Sequence, residues 1–476
     1  MKKPVAAVLL VALAAGAWWA AAAYTSREVP KRFQAELDLL QKRFPGMYLT
    51  DVKQTSGLTS GTYSARVHLG CQPGTPAYRP DADISFGVEQ DLQYGPFPGF
   101  KSFGAARINT HLVLPDNLPA PMGKLVDIAR TLEIRGDYGY GGGSQGLVRL
   151  PSGELAVDSP AGPVKISWAE ARMDTSATAD LANADVHFAW PELKADGTSG
   201  HVLLRNMSFA QTTTGAGLIW LRPGHGEAAL EHMEAGGPNM QFSLDKFQVK
   251  ADTQRGDFVD GTVGYTIGAI DVQAGRPFKL KDFALQMSAK HWQAAATDKL
   301  MEQFSQLGQM QCMVKPDPTT DVRAAMVAQY KPLLATLQVL LAQDPAVSIE
   351  QLGFELEGQR GEASAGLAFK GFKAPAASDD PGAVPAALMQ AGTAQGKVSL
   401  PMAWLALAGG PERAEQLAQG LTAQGFFVRD GDKLKAEFAL GQGKATLNGN
   451  PVPLPGMAAG AEEAPAAQPP AASGAQ

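Results

Sequence analysis

Cysteine is almost absent from this sequence, where Cys71 and Cys312 are the only two. No Cys-x-x-Cys pair occurs, so a zinc ribbon or a dithiol redox site has no starting point. P-loop and dinucleotide-binding fingerprints are missing too, which removes support for nucleotide hydrolases and dehydrogenases. With 47 acidic against 41 basic residues, the chain has no basic footprint for nucleic acid. We therefore expect no cofactor and no nucleic-acid partner.

The two cysteines leave two interpretations open. In an oxidising compartment, Cys71 and Cys312 could form a disulfide that closes a long loop. The alternative is two buried thiols. The sequence does not decide between them, because a disulfide requires that the two Cα atoms approach closely.

Long apolar stretches are also rare, but one opens the chain. Lys2 and Lys3 precede an uncharged run from Val5 to Ala23, which is about the length of a bilayer-spanning helix. Lysines before such a run favour a cytoplasmic N-terminus. We therefore predict a signal segment over residues 1–24 and a single-pass protein of the bacterial inner membrane, with the bulk of the chain in the periplasm.

This segment fits a cleaved signal peptide or a permanent anchor. Ala21-Ala22-Ala23 matches the small residues that signal peptidase prefers. Trp18 and Trp19 stand near the outer end of the run, where indole rings anchor helices at the membrane interface, and basic residues follow without a spacer. These features favour retention. No Cys ends the run, which excludes a lipoprotein anchor.

The rest of the chain divides by pattern. Apolar residues at helical spacing between Pro30 and Phe44 predict a juxtamembrane helix within residues 25–46. Short alternating runs then predict a β-rich region over residues 47–290. The remaining predicted segments are a helical hairpin over 291–345, further strands and helices of the same fold over 346–455, and a disordered tail over 456–476. Within 346–455, the sequence predicts a loop from Lys373 to Ala386 and a helix that starts at Gly410-Pro411.

One strand pattern recurs, with apolar residues at positions i, i+2, i+5 and i+7. Each half has the period of two that a half-buried strand requires, while the three-residue step would turn the second half to the other face. A bulge or kink at the step restores the alternation. The repeats start at Val202, Phe242, Phe278 and Val347.

The predicted fold is mainly β with a helical insert: long, curved or twisted antiparallel sheets with bulged strands, a few amphipathic helices and an N-terminal transmembrane helix. Two interpretations of the apolar face remain. The hairpin helices, with apolar stripes after Thr297-Asp298 and Thr320-Asp321, would cover it as an ordinary core. Alternatively, the face forms an exposed groove that holds a lipid or an acyl chain.

Three motifs carry a family resemblance. They are Gly57-Leu-x-Ser-Gly-x-Tyr-Ser-Ala65, Gln93-Tyr-Gly-Pro-Phe-Pro98, and Gly443-Lys-Ala-Thr-Leu-Asn-Gly-Asn-Pro451 with its Asn-Gly turn. Together with the N-terminal anchor, they resemble the YdgA-like family of bacterial envelope proteins, although Tyr94 stands where a His is expected. The resemblance implies a periplasmic protein anchored in the inner membrane, and it implies no reaction because the family is a domain of unknown function.

Two clusters suggest chemistry, and neither is convincing in context. Ser144 stands in a G-x-S-x-G pattern, but the nucleophile elbow needs a strand before it and a helix after it, and this segment predicts a Gly-rich turn between strands. His225, Glu227, Glu231 and His232 could supply metal ligands, but flanking Pro and Gly indicate an exposed loop. The other histidines are isolated in sequence.

We therefore assign no catalytic, cofactor-binding or metal residue and expect no enzymatic activity. The predicted role is a structural or binding component of the cell envelope, with a lipid or an envelope protein as partner. The alternative is a periplasmic hydrolase whose site is assembled from residues distant in sequence.

Overall fold

A computed structural model describes residues 17–32, 34, 37–38, 41, 44, 46–75, 78–79, 83–100, 103–115, 120–159, 162–216, 218, 220–275, 277–313, 322–374 and 383–453. The chain forms two compact units, Met1–Leu340 and Leu341–Gln476. Both are built mainly from antiparallel strands.

The first unit holds most of the strands and the longest ones. Its elements are α1 (17–32), β1 (Met47–Ser56), β2 (Ser60–Leu69), β3 (Ile84–Tyr94), a 3-10 turn (Pro98–Phe100), β4 (Ala106–Val113), α2 (Ala120–Thr131), β5 (Glu133–Tyr138), β6 (Ser144–Leu150), β7 (Gly153–Ser159), β8 (Gly162–Trp168), β9 (Ala171–Ala177), β10 (Asn183–Gly197), β11 (Gly200–Thr214), β12 (Gly224–Gly237), β13 (Met240–Arg255), β14 (Phe258–Gln273), β15 (Phe278–Gln293), α3 (Ala294–Met313) and α4 (Val322–Leu341), the last of which runs to the boundary between the units.

These strands pair with their sequence neighbours, as short Gly- and Asn-rich connections predict. Hydrogen-bonded pairs run in order from β1 to β6, continue from β6 to β9 and β10, and then run in order from β10 to β15. The hairpin of β7 and β8 pairs with the second half of β10. The prediction of a mainly β fold is confirmed, and the last strand of this unit, β15, ends at Gln293.

The main buried core of this unit lies where α1 packs on β2 to β5. Val29 of α1 is buried, and Ala22 and Thr25 on the same helical face are completely or almost completely buried. Its sheet partners, with Ala105 just before β4, are Tyr63, Ala65, Leu92, Tyr94, Ala105, Ala106, Ile108 and Tyr138. Burial raises the pKa of the Tyr63 and Tyr94 hydroxyls. Two of the motifs that carry the family resemblance therefore supply core side chains.

α1 crosses the boundary that the sequence places between anchor and juxtamembrane helix. Residues 17–32 are continuously helical, as are the described residues 34, 37, 38 and 41. No helix in the described part of the chain is long and apolar enough to cross a membrane. Residues 1–16, which make up most of the predicted anchor, lie outside the described residues.

The strands accommodate the three-residue step between the two halves of each repeat in two ways. In β11, β13 and β15, a left-handed residue occupies the step: Asn206 at φ 51°, Lys246 at φ 54° and Asp282 at φ 48°. The register with the neighbouring strands is the same before and after each of these residues. The expected bulge, with an extra residue on one strand alone, is therefore wrong for these repeats.

The repeat in β16 does contain the predicted bulge, because the register with β17 shifts between Ile349 and Leu352. Neighbouring strands β10, β12 and β14 carry the same apolar spacing as β11, β13 and β15. Since all these strands take the extra residue together, no register shift is needed.

The second unit is a smaller antiparallel sheet with short helices. Its elements are β16 (Ala346–Leu356), β17 (Gln359–Phe369), α5 (Ala383–Ala391), β18 (Gly392–Pro401), α6 (Met402–Gly409), α7 (Pro411–Ala423), β19 (Val428–Asp430), β20 (Lys433–Gly441), β21 (Lys444–Leu447) and β22 (Asn450–Val452). Pairing runs β16, β17, β18, β20, with β19 and β21 both hydrogen-bonded to β20 and β22 to β21.

Several predictions for this unit are confirmed. The helix after Gly410-Pro411 is α7, and the Asn-Gly turn joins β21 to β22 with Asn448 at φ 52° and Gly449 at φ 81°. α5 is an addition, since the sequence predicted a loop up to Ala386. The predicted tail over residues 456–476 lies outside the described residues.

Candidate functional site

Strands β10 to β15 align their apolar residues in continuous rows. Directly opposed residues of antiparallel strands project to the same face, so the register decides which side chains are neighbours. One row joins Phe188, Phe209, Ala228, Val249, Tyr265 and Leu285, and another joins Leu193, Leu204, Met233, Leu244, Ile270 and Leu280.

Two further rows lie beside these and are apolar as well. They contain Trp190, Met207, Leu230, Phe247, Ile267 and Phe283, and Ala195, Val202, Ala235, Phe242, Val272 and Phe278. The left-handed residues at the steps of β11, β13 and β15 let both halves of these strands present their apolar side chains on one side. We call the four rows the apolar face.

In the described part of the chain, the apolar face is only partly buried. None of its side chains is fully buried: Phe278 and Val202 are 42% and 39% exposed, and the others are half-buried. Described contacts place α3 at the strand ends, where Arg255 pairs with Asp298 and the Ala294 amide donates to the Asp257 carbonyl. The expected cover by amphipathic helices is not found over the described residues. A partly exposed apolar surface of this extent is typical of a binding site.

The opposite face of the same strands is polar and internally paired. Arg205 lies 3.4 Å from Glu192, Lys279 lies 3.2 Å from Asp271, and His232 Nδ1 lies 2.7 Å from Asp245. Hydrogen bonds from Gln273 and Lys279 lower the pKa of Asp271. The sheet thus has a mainly polar side and an apolar side over which no described helix packs.

The apolar face is large enough for a lipid chain. Six strands spaced about 4.8 Å apart span roughly 24 Å, and the seven-residue repeat covers roughly 23 Å along each strand. One bilayer leaflet has a hydrocarbon depth of about 15 Å. An acyl chain of ordinary length therefore fits within the face in either direction.

The histidine cluster predicted from the sequence is separated in the structure. His225 and His232 lie on β12 rather than in a loop, about 23 Å apart along the strand. His225 pairs with Asp252 at 2.8 Å, and His232 pairs with Asp245. The expectation of an exposed loop is wrong because both neighbouring strands extend the ladder over this Gly-rich stretch.

The sheet instead brings together polar groups that are distant in sequence. Glu234 accepts from His201 Nε2 at 3.1 Å and lies 3.6 Å from His232 Nε2, and these contacts lower its pKa, with the His201 hydrogen bond as the largest cause. In the described part of the chain, no group of three or more His, Cys, Asp and Glu side chains is arranged to hold a metal ion. Alternating charges on the polar face were the only sequence signal for this network.

A second polar network links β1, β2 and the residue before β3. His68 Nδ1 lies 2.7 Å from Asp83 and its Nε2 lies 2.8 Å from Thr50 Oγ1, while the Tyr48 ring stacks on the imidazole at 4.5 Å. This order of hydroxyl, imidazole and carboxylate matches a catalytic triad. His68 is only 8% exposed, so the network is mainly buried. Sequence reasoning missed it because the three residues come from separate strands.

Ser144 begins β6 directly after the turn from Gly139 to Gly143, as the strand context predicted. It lines an open cleft of about 560 Å³ with Asp137, Tyr138 and Asp185. The hydrogen bonds of the described residues do not pair Ser144 with a histidine. With no helix after it, Ser144 lacks the local geometry of a nucleophile elbow.

The remaining predicted site residues are placed as follows. Cys71 is disulfide-bonded, and the side chain of Cys312 lies outside the described residues, so the predicted pairing stays a prediction. Trp18 is half-buried and its ring reaches Gly95, whereas Trp19 is exposed. Their contact with a membrane interface also stays a prediction.

Comparison with protein families agrees with the motifs found in the sequence. A family model described as a bacterial protein of unknown function (DUF945) matches residues 1–455. Comparisons with curated proteins and with solved structures gave no match. Since the family match covers nearly the whole chain, the protein belongs to the DUF945 family of bacterial proteins of unknown function.

Proposed function

We propose that this protein is tethered to the bacterial inner membrane through residues 1–24, with its bulk in the periplasm, and that its apolar face binds the acyl chain of a membrane lipid. The partly exposed apolar face of β10 to β15 is the observation that carries the proposal. Each Å² of apolar surface that is removed from water stabilises a complex by about 25 cal/mol, so contact with hydrocarbon favours binding to this face.

Two further observations support the location. The disulfide at Cys71 is typical of an oxidising compartment such as the periplasm. The resemblance to YdgA-like envelope proteins points to the same compartment. Retention of the tether is supported by Ala22, which lies before the possible cleavage site and is completely buried on the folded sheet.

The direct test is native mass spectrometry of the full chain purified in mild detergent, followed by titration with a fluorescent fatty acid. We expect co-purified lipid and saturable binding. The double variant Leu244→Gln and Phe247→Gln places amides in the middle of the apolar face and should weaken binding at least tenfold. Thr266→Gln, on the polar face of the neighbouring strand, is the matched control and should bind like the parent.

Two outcomes would contradict this proposal. One is a parent protein that carries no lipid and binds no fatty acid, and the other is equal binding by the double variant.

The proposal is one of binding without catalysis. The hydrolase alternative rests on the Thr50, His68 and Asp83 network. Ester hydrolysis by the parent protein that is lost in Thr50→Val would establish that alternative and overturn the non-enzymatic role.

A further inference from the structure

A separate aromatic surface lies on the loop between β3 and β4. Phe100 is 87% exposed and Phe103 is 73% exposed, and Phe97 is exposed beside them. The Phe103 ring lies 5.7 Å from Phe97 and 5.6 Å from Tyr140, centroid to centroid. We call these four side chains the aromatic loop surface. Three exposed phenylalanines on one loop, next to Tyr140 of the turn between β5 and β6, are unusual on a purely solvated surface.

This loop is held in shape by its backbone. The Gly95 amide donates to the Ala105 carbonyl at 3.1 Å, and the Gly104 amide donates to the Pro96 carbonyl at 3.2 Å. Gly99 has φ 58° and packs on the Gln93 amide without room for a Cβ. These hydrogen bonds close the base of the loop, so the described residues 95–100 and 103–105 hold their rings at one place on the sheet edge.

Phe100 itself is in a left-handed conformation, with φ 59°. This conformation is unfavourable for a bulky residue, because its Cβ crowds the following carbonyl oxygen. The described contacts of the chain offer no burial in return, since the ring is the most exposed large apolar side chain in the described residues. A strained residue that projects an apolar ring outward points to a contact outside the chain.

The position of the loop indicates which contact this is. α1 begins beside it, because the Trp18 ring lies 3.9 Å and the Ala22 methyl 3.5 Å from the Cβ position of Gly95. In the sequence, the apolar run from Val5 to Ala23 continues directly into α1. The aromatic loop surface therefore lies next to the point at which the predicted anchor joins the folded unit, with the exposed Trp19 on the same helix.

We infer that the aromatic loop surface inserts into the interfacial region of the lipid bilayer that holds the anchor. Aromatic rings favour this depth, where an apolar body meets lipid and polar groups stay near water. Together with α1, the loop gives the folded unit a second contact with the membrane. That contact fixes the orientation of the folded unit relative to the membrane, as well as its distance from the membrane. The inference rests on the membrane tether of the proposed function, but not on lipid binding by the apolar face.

Photo-crosslinking in the membrane tests this contact. Phe100→benzoylphenylalanine keeps an aromatic ring at an exposed position, so folding is preserved, which circular dichroism would verify. Leu69→benzoylphenylalanine is the control, since Leu69 is 47% exposed at the opposite end of β2, about 30 Å from the loop. Both full-length proteins are reconstituted into phosphatidylethanolamine and phosphatidylglycerol vesicles, irradiated, and analysed by mass spectrometry for phospholipid adducts.

We expect at least tenfold more phospholipid adduct at position 100 than at position 69. Equal or undetectable adducts at the two positions would overturn the inference. So would a predominant crosslink from position 100 to a second copy of the chain, because the surface would then be a protein interface. A lipid adduct at position 100, together with unchanged fatty-acid binding in the Leu244→Gln and Phe247→Gln variant, would support this inference while contradicting the proposed function.

Discussion

Gly61 shows why one of the family motifs needs a glycine. A Cβ at this position would lie 2.6 Å from the Thr55 carbonyl oxygen and 2.8 Å from the Tyr94 hydroxyl oxygen. Both distances are shorter than van der Waals contact allows, and the first involves backbone that is held in the ladder between β1 and β2. Close packing of a core strand therefore explains the glycine in this motif, and no catalytic role is needed to account for it.

We predict that Gly61→Ala destabilises the protein by about 1–3 kcal/mol, because β1 or Tyr94 must move to admit the methyl group. Gly264→Ala is the matched control, since this strand glycine has no atom within 4 Å of its Cβ position. That change should be neutral or stabilising by about 0.4–1 kcal/mol. Urea unfolding curves measure both effects, and equal midpoints for the two variants would refute the packing argument.

At the level of elements, α1 is a structural part of the first unit as well as the predicted continuation of the anchor. Its buried face carries Ala22, Thr25 and Val29, and the Ser26 carbonyl accepts a hydrogen bond from Ser56 at 3.3 Å. Helical spacing in the sequence predicts such a stripe only after Pro30. The Ala-rich stretch before Pro30 carries a second buried stripe that the sequence pattern did not predict. Small side chains are compatible with a membrane span and also with close packing of a helix on a sheet.

We predict that Ala22→Leu lowers stability by about 1–3 kcal/mol, because Ala22 is fully buried and its methyl group lies 3.5 Å from the Cβ position of Gly95. Ala20→Leu is the control on the exposed side of the same helix. Thermal unfolding of the detergent-purified proteins should separate the two variants. If both unfold at the parent temperature, α1 does not pack on the sheet in solution.

The strand repeats illustrate how an element-level prediction was half correct. The period of two and the three-residue step were visible in the sequence and indicated an irregularity in each strand. How neighbouring strands accommodate it was not visible. Around Asn206 and Lys246, both strands of each pair take the additional residue together, whereas β16 takes it alone. Register depends on pairing partners, so one strand's pattern does not determine it.

At the scale of the whole molecule, charge pairs are spread over the strand surfaces, and the pKa values of several of their carboxylates are lowered. Arg149 lowers the pKa of Glu133 by a hydrogen bond, Arg172 does the same for Asp174, and His201 for Glu234. A carboxyl group whose pKa is lower in the folded state contributes stability that is present above its unfolded value, about 4. That contribution is lost as the pH falls through the folded value.

We therefore predict that stability changes little between pH 7 and about pH 5 and then falls steadily toward pH 2. Because the pairs are exposed, 1 M NaCl should reduce the acid-induced loss by screening. Urea midpoints at pH 7, 5 and 3 measure the effect. The double variant Glu133→Gln and Glu234→Gln should lose less stability on acidification than the parent. An identical loss would show that these carboxylates are not linked to folding.

The sequence alone determined the local features of this protein. Period-two alternation, turn residues and the helix start at Gly410-Pro411 depend on near neighbours, and the corresponding strands and helix are present in the structure. The motifs also indicated a bacterial family of unknown function, and the family match supports that statement. These properties can be predicted from the sequence because they arise from backbone geometry and local side-chain preference.

Only the tertiary structure decided which surfaces meet. Burial of α1, the pairing of His68 with Asp83, and the approach of His201 to Glu234 all depend on contacts between segments that are distant in sequence. The same holds for the apolar face. Its residues were identifiable as apolar in the sequence, but whether helices cover them depends on where α3 leaves the sheet, and no local pattern encodes that position.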